Sequence, residues 1–247
     1  MKGIHENKFK QSRYGDTVAK LPARYLISSK SAGGKTTLIG SLITDFYKGC
    51  FTKVYIMSRT VHLDPVWGKI KEWCEEHCSY DDGEEFAFDG LRLDVLERIF
   101  EERKAVINQE KRAKKPLLSQ VAVVLDDMSG SAALLRRDDN AVNKLYYAGR
   151  HYGCTVISSI HALSTLNGLA RKSASCLCIF RIAAGSEMQF VEDQYAALVG
   201  GVDVFREMYN LAIAEQYSFL VIMPNEPLNR MFMIRFEQRI LLEPPSP

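Results

Sequence analysis

Apolar residues recur along the chain in two alternating rhythms. Short, nearly continuous apolar runs read as buried strands, and 3.6-residue periodicity reads as helix. Arg24-Tyr25-Leu26-Ile27-Ser28 is a short buried strand. Residues 35–48 form a helix with Leu38, Ile39, Leu42, Ile43 and Phe46 on one face. Residues 53–58 (KVYIMS) form a second strand, and 65–78 a helix with Asp64 as cap and Pro65 at its first position. The stretch 79–90 is acidic, contains Gly and reads as a loop. A charged amphipathic helix covers 92–113, and Pro116 stops it. Val121-Ala122-Val123-Val124-Leu125 is almost wholly apolar, as a central parallel strand covered on both faces must be. A helix over 140–150, strands at 154–158 and 175–182, and helices at 186–198 and 202–216 follow. Two final strands, 218–223 and 230–236, flank Pro224-Asn225-Glu226-Pro227 as a hairpin.

Strands alternating with helices predict an α/β fold with a mainly parallel central sheet, helices on both faces and a C-terminal β-hairpin. The predicted organisation is a basic extension (1–20), one domain (21–240) with an acidic and basic insertion near 72–116, and a frayed Pro-rich tail (241–247). The chain has 247 residues, 47 % hydrophobic and 25 % charged, which excludes wholesale disorder. No run of about 18 uncharged apolar residues occurs, so no membrane-spanning segment is expected. The N-terminus lacks the apolar core of a secretory signal.

The net charge of +2 hides an uneven distribution. Residues 1–24 hold six basic side chains and two acids, 72–89 hold eight acids and no Lys or Arg, and 92–115 hold eight basic side chains and five acids. Each block is either a solvated face or a local surface for partners, the basic ones for a polyanion such as DNA. The six cysteines show no paired CxxC spacing. Cys74, His77 and Cys78 lack a second ligand pair for zinc, so free thiols in a reducing compartment are expected.

The candidate chemistry begins at Ser29-Lys30-Ser31-Ala32-Gly33-Gly34-Lys35-Thr36-Thr37, between an apolar strand and an amphipathic helix. This follows the phosphate-binding pattern G-x-x-x-x-G-K-[ST], with Ser29 at the first glycine position. Small residues let backbone N–H groups wrap an anion, and the helix N-terminus adds partial positive charge. Lys35 is placed to reach the β- and γ-phosphates of ATP, and the Thr36 hydroxyl to bind Mg²⁺. Leu125-Asp126-Asp127 ends the most apolar strand. Asp126 is expected at the metal, and Asp127 as the carboxylate that polarises an attacking water. Ser159 or His161, at the tip of the strand 154–158, is a candidate γ-phosphate sensor. Arg150 and Arg171 are candidate arginine fingers reaching a neighbouring subunit's nucleotide.

Taken together, these motifs resemble the poxvirus-type viral DNA-packaging ATPases of the FtsK–HerA superfamily, found in large DNA viruses, virophages and Maverick/Polinton-like elements. The resemblance spans roughly residues 22–200: SKSAGGKTT, then CFTKVYIMSRTVHLDPVW with its D-x-x-W segment, VAVVLDDM, AGRHYGCTVISSIH and LNGLARKSASCLCIFR. It implies an ASCE-type P-loop fold, three-layered α/β/α. It implies ATP hydrolysis with Mg²⁺, coupled to translocation of double-stranded DNA into a preformed capsid. It also implies a pentameric or hexameric ring, Arg171 or Arg150 acting in trans, a capsid or portal-vertex partner, and a location in the virion or in the host cytoplasm or viral factory. Lys35, Thr36, Asp126 and Asp127 match the family's Walker residues, and His161 lies near its usual Gln. Two other readings stay open. Lys30, five residues before Lys35, resembles the deviant Walker A of ParA/MinD-type partitioning ATPases. A non-hydrolysing nucleotide-binding structural subunit also fits the motifs.

Overall fold

A computed structural model describes residues 8–128 and 140–241. The tail 242–247 and residues 1–7 of the basic extension lie outside the described residues. The strands in chain order are β1 (Lys8–Phe9), β2 (Arg24–Ser28), β3 (Lys53–Ser58), β4 (Ala87–Asp89), β5 (Leu117–Leu118), β6 (Val121–Asp126), β7 (Cys154–Ile160), β8 (Cys176–Ile179), β9 (Leu220–Ile222), β10 (Phe232–Ile234) and β11 (Gln238–Arg239). The helices are α1 (Lys35–Ser41), α2 (Pro65–His77), α3 (Leu93–Arg112), α4 (Ala141–Ala148), α5 (Gly168–Ser173), α6 (Gly185–Tyr195), α7 (Val202–Ala212) and α8 (Leu228–Met231).

Among the described residues the main sheet runs β11-β10-β9-β8-β2-β7-β6-β3-β4. Its pairings from β4 through β8 are parallel, and those from β8 to β11 antiparallel. Strand β7 stands between β2, which feeds the P-loop, and β6, which ends in the two aspartates. This is the strand order that the ASCE resemblance implies. β1 and β5 form a separate two-stranded parallel pair.

The alternation of side chains along each strand divides the core in two. Leu26, Tyr55, Met57, Val123 and Leu125 face a cluster that includes Leu96 and Ile99 of α3, Leu145 of α4, Val191 of α6 and Phe205 of α7. Tyr25, Ile27, Val54, Ile56 and Val124 face the opposite cluster, with Leu38 and Ile39 of α1 and Trp67 and Ile70 of α2. All six residues of β6 are buried. Each such Val or Leu contributes about 1.5–3 kcal/mol of burial.

Local signals explain most helix ends. Asp64 accepts the Val66 N–H at 2.9 Å, capping α2 as its sequence position suggests. Asn167 caps α5 through the N–H groups of Leu169 and Ala170, both at 3.0 Å, a short helix the apolar pattern does not reveal. Beyond α1, Leu42–Phe46 widens to π-helical spacing, with the Tyr47 N–H on the Leu42 carbonyl at 2.9 Å.

Three segments differ from expectation. The acidic stretch 79–90 is not all loop, because β4 pairs with β3. Phe88 is buried at its centre, and Glu84 is held by Lys53 at 2.6 Å and by the Tyr55 hydroxyl at 2.6 Å. The helix expected over 202–216 stops at Ala212. The hairpin gains a third strand, β11, and a helical turn, α8, in its connection. Residues 8–20 pack on the core: Val18 and Ala19 are buried, and Gln11 bonds both the carbonyl and the N–H of Leu21. The six cysteines are free thiols. Among the described residues no helix is long and apolar enough to cross a membrane.

Candidate nucleotide site

The chain leaves β2 at Ser28, turns through the glycine-rich loop and enters α1 at Lys35. Two residues of this loop take left-handed backbone, Ala32 (φ 57°) and Gly34 (φ 96°). For Ala32 that conformation costs about 1–2 kcal/mol. A side chain at Gly33 would crowd its own loop. A Cβ there would stand 1.9 Å from Ser29 Oγ and 3.0 Å from the Lys30 carbonyl. The Ser29 side chain thus occupies the room a larger residue at 33 would need.

Lys35 is buried at 8 % exposure, and its Nζ donates to the carbonyls of Ser29 (2.8 Å) and Lys30 (3.1 Å). Burial pushes its pKa down, and Asp127 and Asp126 oppose the shift. Its ammonium therefore lies inside the loop, facing the acidic strand end.

That acidic end is fixed by hydroxyls from two neighbouring strands. Asp126 is 3 % exposed. It accepts from Ser58 Oγ of β3 at 2.8 Å and from Ser159 Oγ of β7. The same Ser159 oxygen accepts the backbone N–H of Asp127 at 3.2 Å. Asp127 leaves the strand in left-handed backbone (φ 51°), which re-aims its side chain. His161 Nε2 lies 2.8 Å from Asp127 Oδ1, both side chains being about 40 % exposed. Next along β7, Ser158 Oγ pairs with Tyr146 Oη of α4 at 2.6 Å.

One cleft of about 900 Å³ gathers Ser31, Ala32, Gly33, Gly34, Lys35, Thr36 and Thr37 with Asp126, Asp127 and His161. Ser29 and Lys30 lie behind it, lining a smaller depression with His161, Arg181 and Glu187. Thr36 and Asp126 supply the hard oxygen donors that Mg²⁺ prefers. Asp126 keeps unused lone pairs, since two hydroxyls occupy only part of its acceptor capacity. The residues present therefore fit the ion.

The two candidate fingers are not brought into this cleft. Arg171 turns back from α5, its Nη1 donating to the carbonyls of Ser164 (3.2 Å) and Leu166 (2.7 Å) and its guanidinium lying 4.8 Å from the Phe190 ring centre. The loop it holds follows β7 and is also tied by Glu187, which accepts from the N–H groups of Leu163 and Ser164. Arg150 is exposed in the 3₁₀ turn Gly149–Tyr152 that precedes β7, at the end of the sheet opposite the P-loop.

Sequence reasoning misses Ser58, although a polar residue closing an apolar strand was its visible signal. It also misses the far wall of the cleft, where Tyr217, Phe219 and Phe236 come from the C-terminal hairpin and the loop before it. No motif marks them.

No family model matches the chain, and no curated protein matches it. Solved structures do. The genome packaging NTPase B204 of Sulfolobus turreted icosahedral virus 2, in complex with AMPPCP, is 15 % identical with a TM-score of 0.57, covering 86 % of this chain and 96 % of that one. B204 described as the DNA-packaging ATPase of Sulfolobus turreted icosahedral virus is 16 % identical, with a TM-score of 0.54 over 86 % and 96 % of the two chains. ATPases 2 and 3 of EssC from Geobacillus thermodenitrificans give 12 % identity and a TM-score of 0.60, over 92 % of this chain and 41 % of that one. The likeness is one of fold: the chain shares the α/β fold of these proteins, with its mainly parallel central sheet.

Proposed function

We propose that this chain is a subunit of an ATP-hydrolysing motor that translocates double-stranded DNA, packaging a viral genome into a preformed capsid. The observation that carries the reading is the junction of Lys35, Asp126 and Asp127 in one cleft, with Ser159 bonded to both aspartates.

The chemistry follows from these positions. Backbone N–H groups of the loop wrap the phosphates of ATP, and Lys35 exchanges its two carbonyl partners for phosphate oxygens. Thr36 and Asp126 would hold Mg²⁺, which when bound would supply charge neutralisation to the phosphates. Asp127 accepts a proton from water as that water attacks the γ-phosphorus. The bond from that phosphorus to the bridging oxygen breaks, and ADP departs with the electron pair. His161, on Asp127, orients the carboxylate and registers the γ-phosphate.

A basic surface supports DNA as the partner. Two of the basic segments flagged by composition converge where β2 and β7 begin: Arg24 opens β2 and Lys111 lies in the last turn of α3, beside Arg150 and His151. The cations crowd one another. Burial and Arg150 lower the pKa of Arg24. Burial, then Arg150, Lys111 and Arg24, lowers that of His151. Cations held together in this way suit a phosphate backbone.

Arg171, on the side of the sheet where β7 ends, is the better placed of the two trans fingers. The capsid or portal partner and the ring are part of the same proposal. Native mass measurement with an ATP analogue and duplex DNA tests it. A ring of five or six chains on DNA is expected; an ATP-dependent dimer without DNA turns the reading toward a partitioning ATPase.

A further inference from the structure

The cleft continues beyond the phosphate chemistry into an aromatic half. Phe46, at the end of the π-helical turn, meets Phe236 with ring centres 5.1 Å apart, and Phe219 meets Phe236 at 5.7 Å and Phe180 at 4.7 Å. Tyr217 stands at the rim, 60 % exposed, although an aromatic ring normally covers itself. Its ring lies along the P-loop: a Cβ on Gly34 would sit 3.4 Å from Tyr217 Cδ1.

The backbone marks the same place. Among the described residues five non-glycine positions have positive φ: Ala32, Lys114, Asp127, Tyr217 (61°) and Arg235 (51°). Four of them line this one cleft, and only two of those four serve the phosphates. Unfavourable backbone persists where its surroundings impose it and gathers at functional sites. Tyr217 and Arg235 carry that signature with no role in hydrolysis. Arg235 is pinned, its N–H on the Phe219 carbonyl at 2.9 Å and its guanidinium on Glu215 at 2.6 Å and Glu237 at 3.6 Å. Arg235 is therefore held in place before any ligand arrives.

We propose that Tyr217 is the stacking platform for the purine base of the bound nucleoside triphosphate, in a subsite that accepts adenine and guanine alike. The proposal rests on the cleft being a nucleotide site. A flat, exposed ring next to a phosphate cradle offers a π-face to any base, and larger bases stack better. Strong discrimination between bases needs buried polar groups that the wrong base leaves unpaired. Here the polar side chains nearest Tyr217 are spent or wet: Arg235 is paired with Glu215 and Glu237, and Gln216 is exposed. The aromatic half thus supplies affinity without a reader for the base edge.

Equilibrium binding to the full chain tests this with three probes: a non-hydrolysable ATP analogue, the matching GTP analogue and inorganic tripolyphosphate. The wild type is expected to bind both nucleotides within about tenfold of each other. Tyr217→Ala weakens both by about tenfold and leaves tripolyphosphate binding unchanged, while Tyr217→Phe keeps wild-type affinity. A preference above about a hundredfold for one purine overturns the proposal. So does nucleotide affinity unaltered by Tyr217→Ala, or an equal loss for tripolyphosphate. If the wild type binds none of the three probes, the nucleotide reading of the cleft itself fails.

Discussion

His161 Nε2 and Asp127 Oδ1 stand 2.8 Å apart at the mouth of the cleft. The histidine ends the run that follows β7, and the carboxylate follows β6, so the contact joins neighbouring strand tips. Asp127→Asn keeps the shape and tolerates left-handed backbone, but it cannot take a proton from water. Nucleotide affinity is expected to persist while turnover falls by about 10²–10⁴-fold. Phosphate release under saturating ATP, with analogue binding alongside, checks this. Full turnover removes Asp127 from the mechanism.

Ser159 is fully buried and bonds both acidic residues. Ser159→Ala leaves the Asp127 N–H and one Asp126 oxygen without their partner, at a cost of about 1–3 kcal/mol. Denaturant unfolding reads that loss. Turnover is expected to fall more than nucleotide affinity, since the phosphates are held by the loop and not by Ser159. Equal loss of both contradicts the assignment.

Gly33→Ala places a methyl group against Ser29 Oγ and 3.0 Å from the Lys30 carbonyl, so the serine hydroxyl must rotate away and the loop must give, and nucleotide affinity is expected to fall. Removing that obstruction with Ser29→Gly in the same chain is expected to restore part of the affinity. The Lys30 carbonyl, 3.0 Å from the added carbon, limits the rescue. Calorimetric titration of the two single variants and the double variant measures the coupling. Strict additivity contradicts it.

Glu84 fixes a pH dependence of stability. Desolvation pushes its pKa up. Hydrogen bonds from Lys53, Tyr55 and the Asp81 N–H, with the Lys53 charge, together outweigh that effect, and the net pKa lies below the ordinary 4.5. Its stabilising contribution is therefore present above pH 4.5 and is lost as pH falls through the lower folded value. Thermal melting between about pH 6 and pH 3 is expected to show a smaller acid-induced drop for Glu84→Gln than for the wild type. Parallel curves contradict this.

The parts legible in the sequence are those carried by contiguous residues. The loop 29–37, the strand ending in Asp126-Asp127 and the cap at Asp64 each declare themselves within a dozen positions, and the structure places them as expected. What escapes the sequence depends on which strands become neighbours. Ser58, Asp126 and Ser159 meet because β3, β6 and β7 lie side by side, an order no local pattern encodes. β4 is hidden because its three residues adjoin an acidic run and owe their strand geometry to β3. The aromatic wall belongs to the hairpin, some 180 residues from the P-loop, and its apolar residues look like ordinary core. The carbonyls of Ser164 and Leu166 that hold the Arg171 side chain are likewise set by the turn between β7 and α5, which no motif marks.

Steady-state ATP hydrolysis by the full chain, with and without duplex DNA, decides whether it is a DNA-driven motor. Turnover is expected to rise with DNA, to decline as salt weakens DNA binding, and to vanish in Lys35→Ala. Absence of hydrolysis with or without DNA at every ionic strength contradicts this, as does turnover that survives Lys35→Ala.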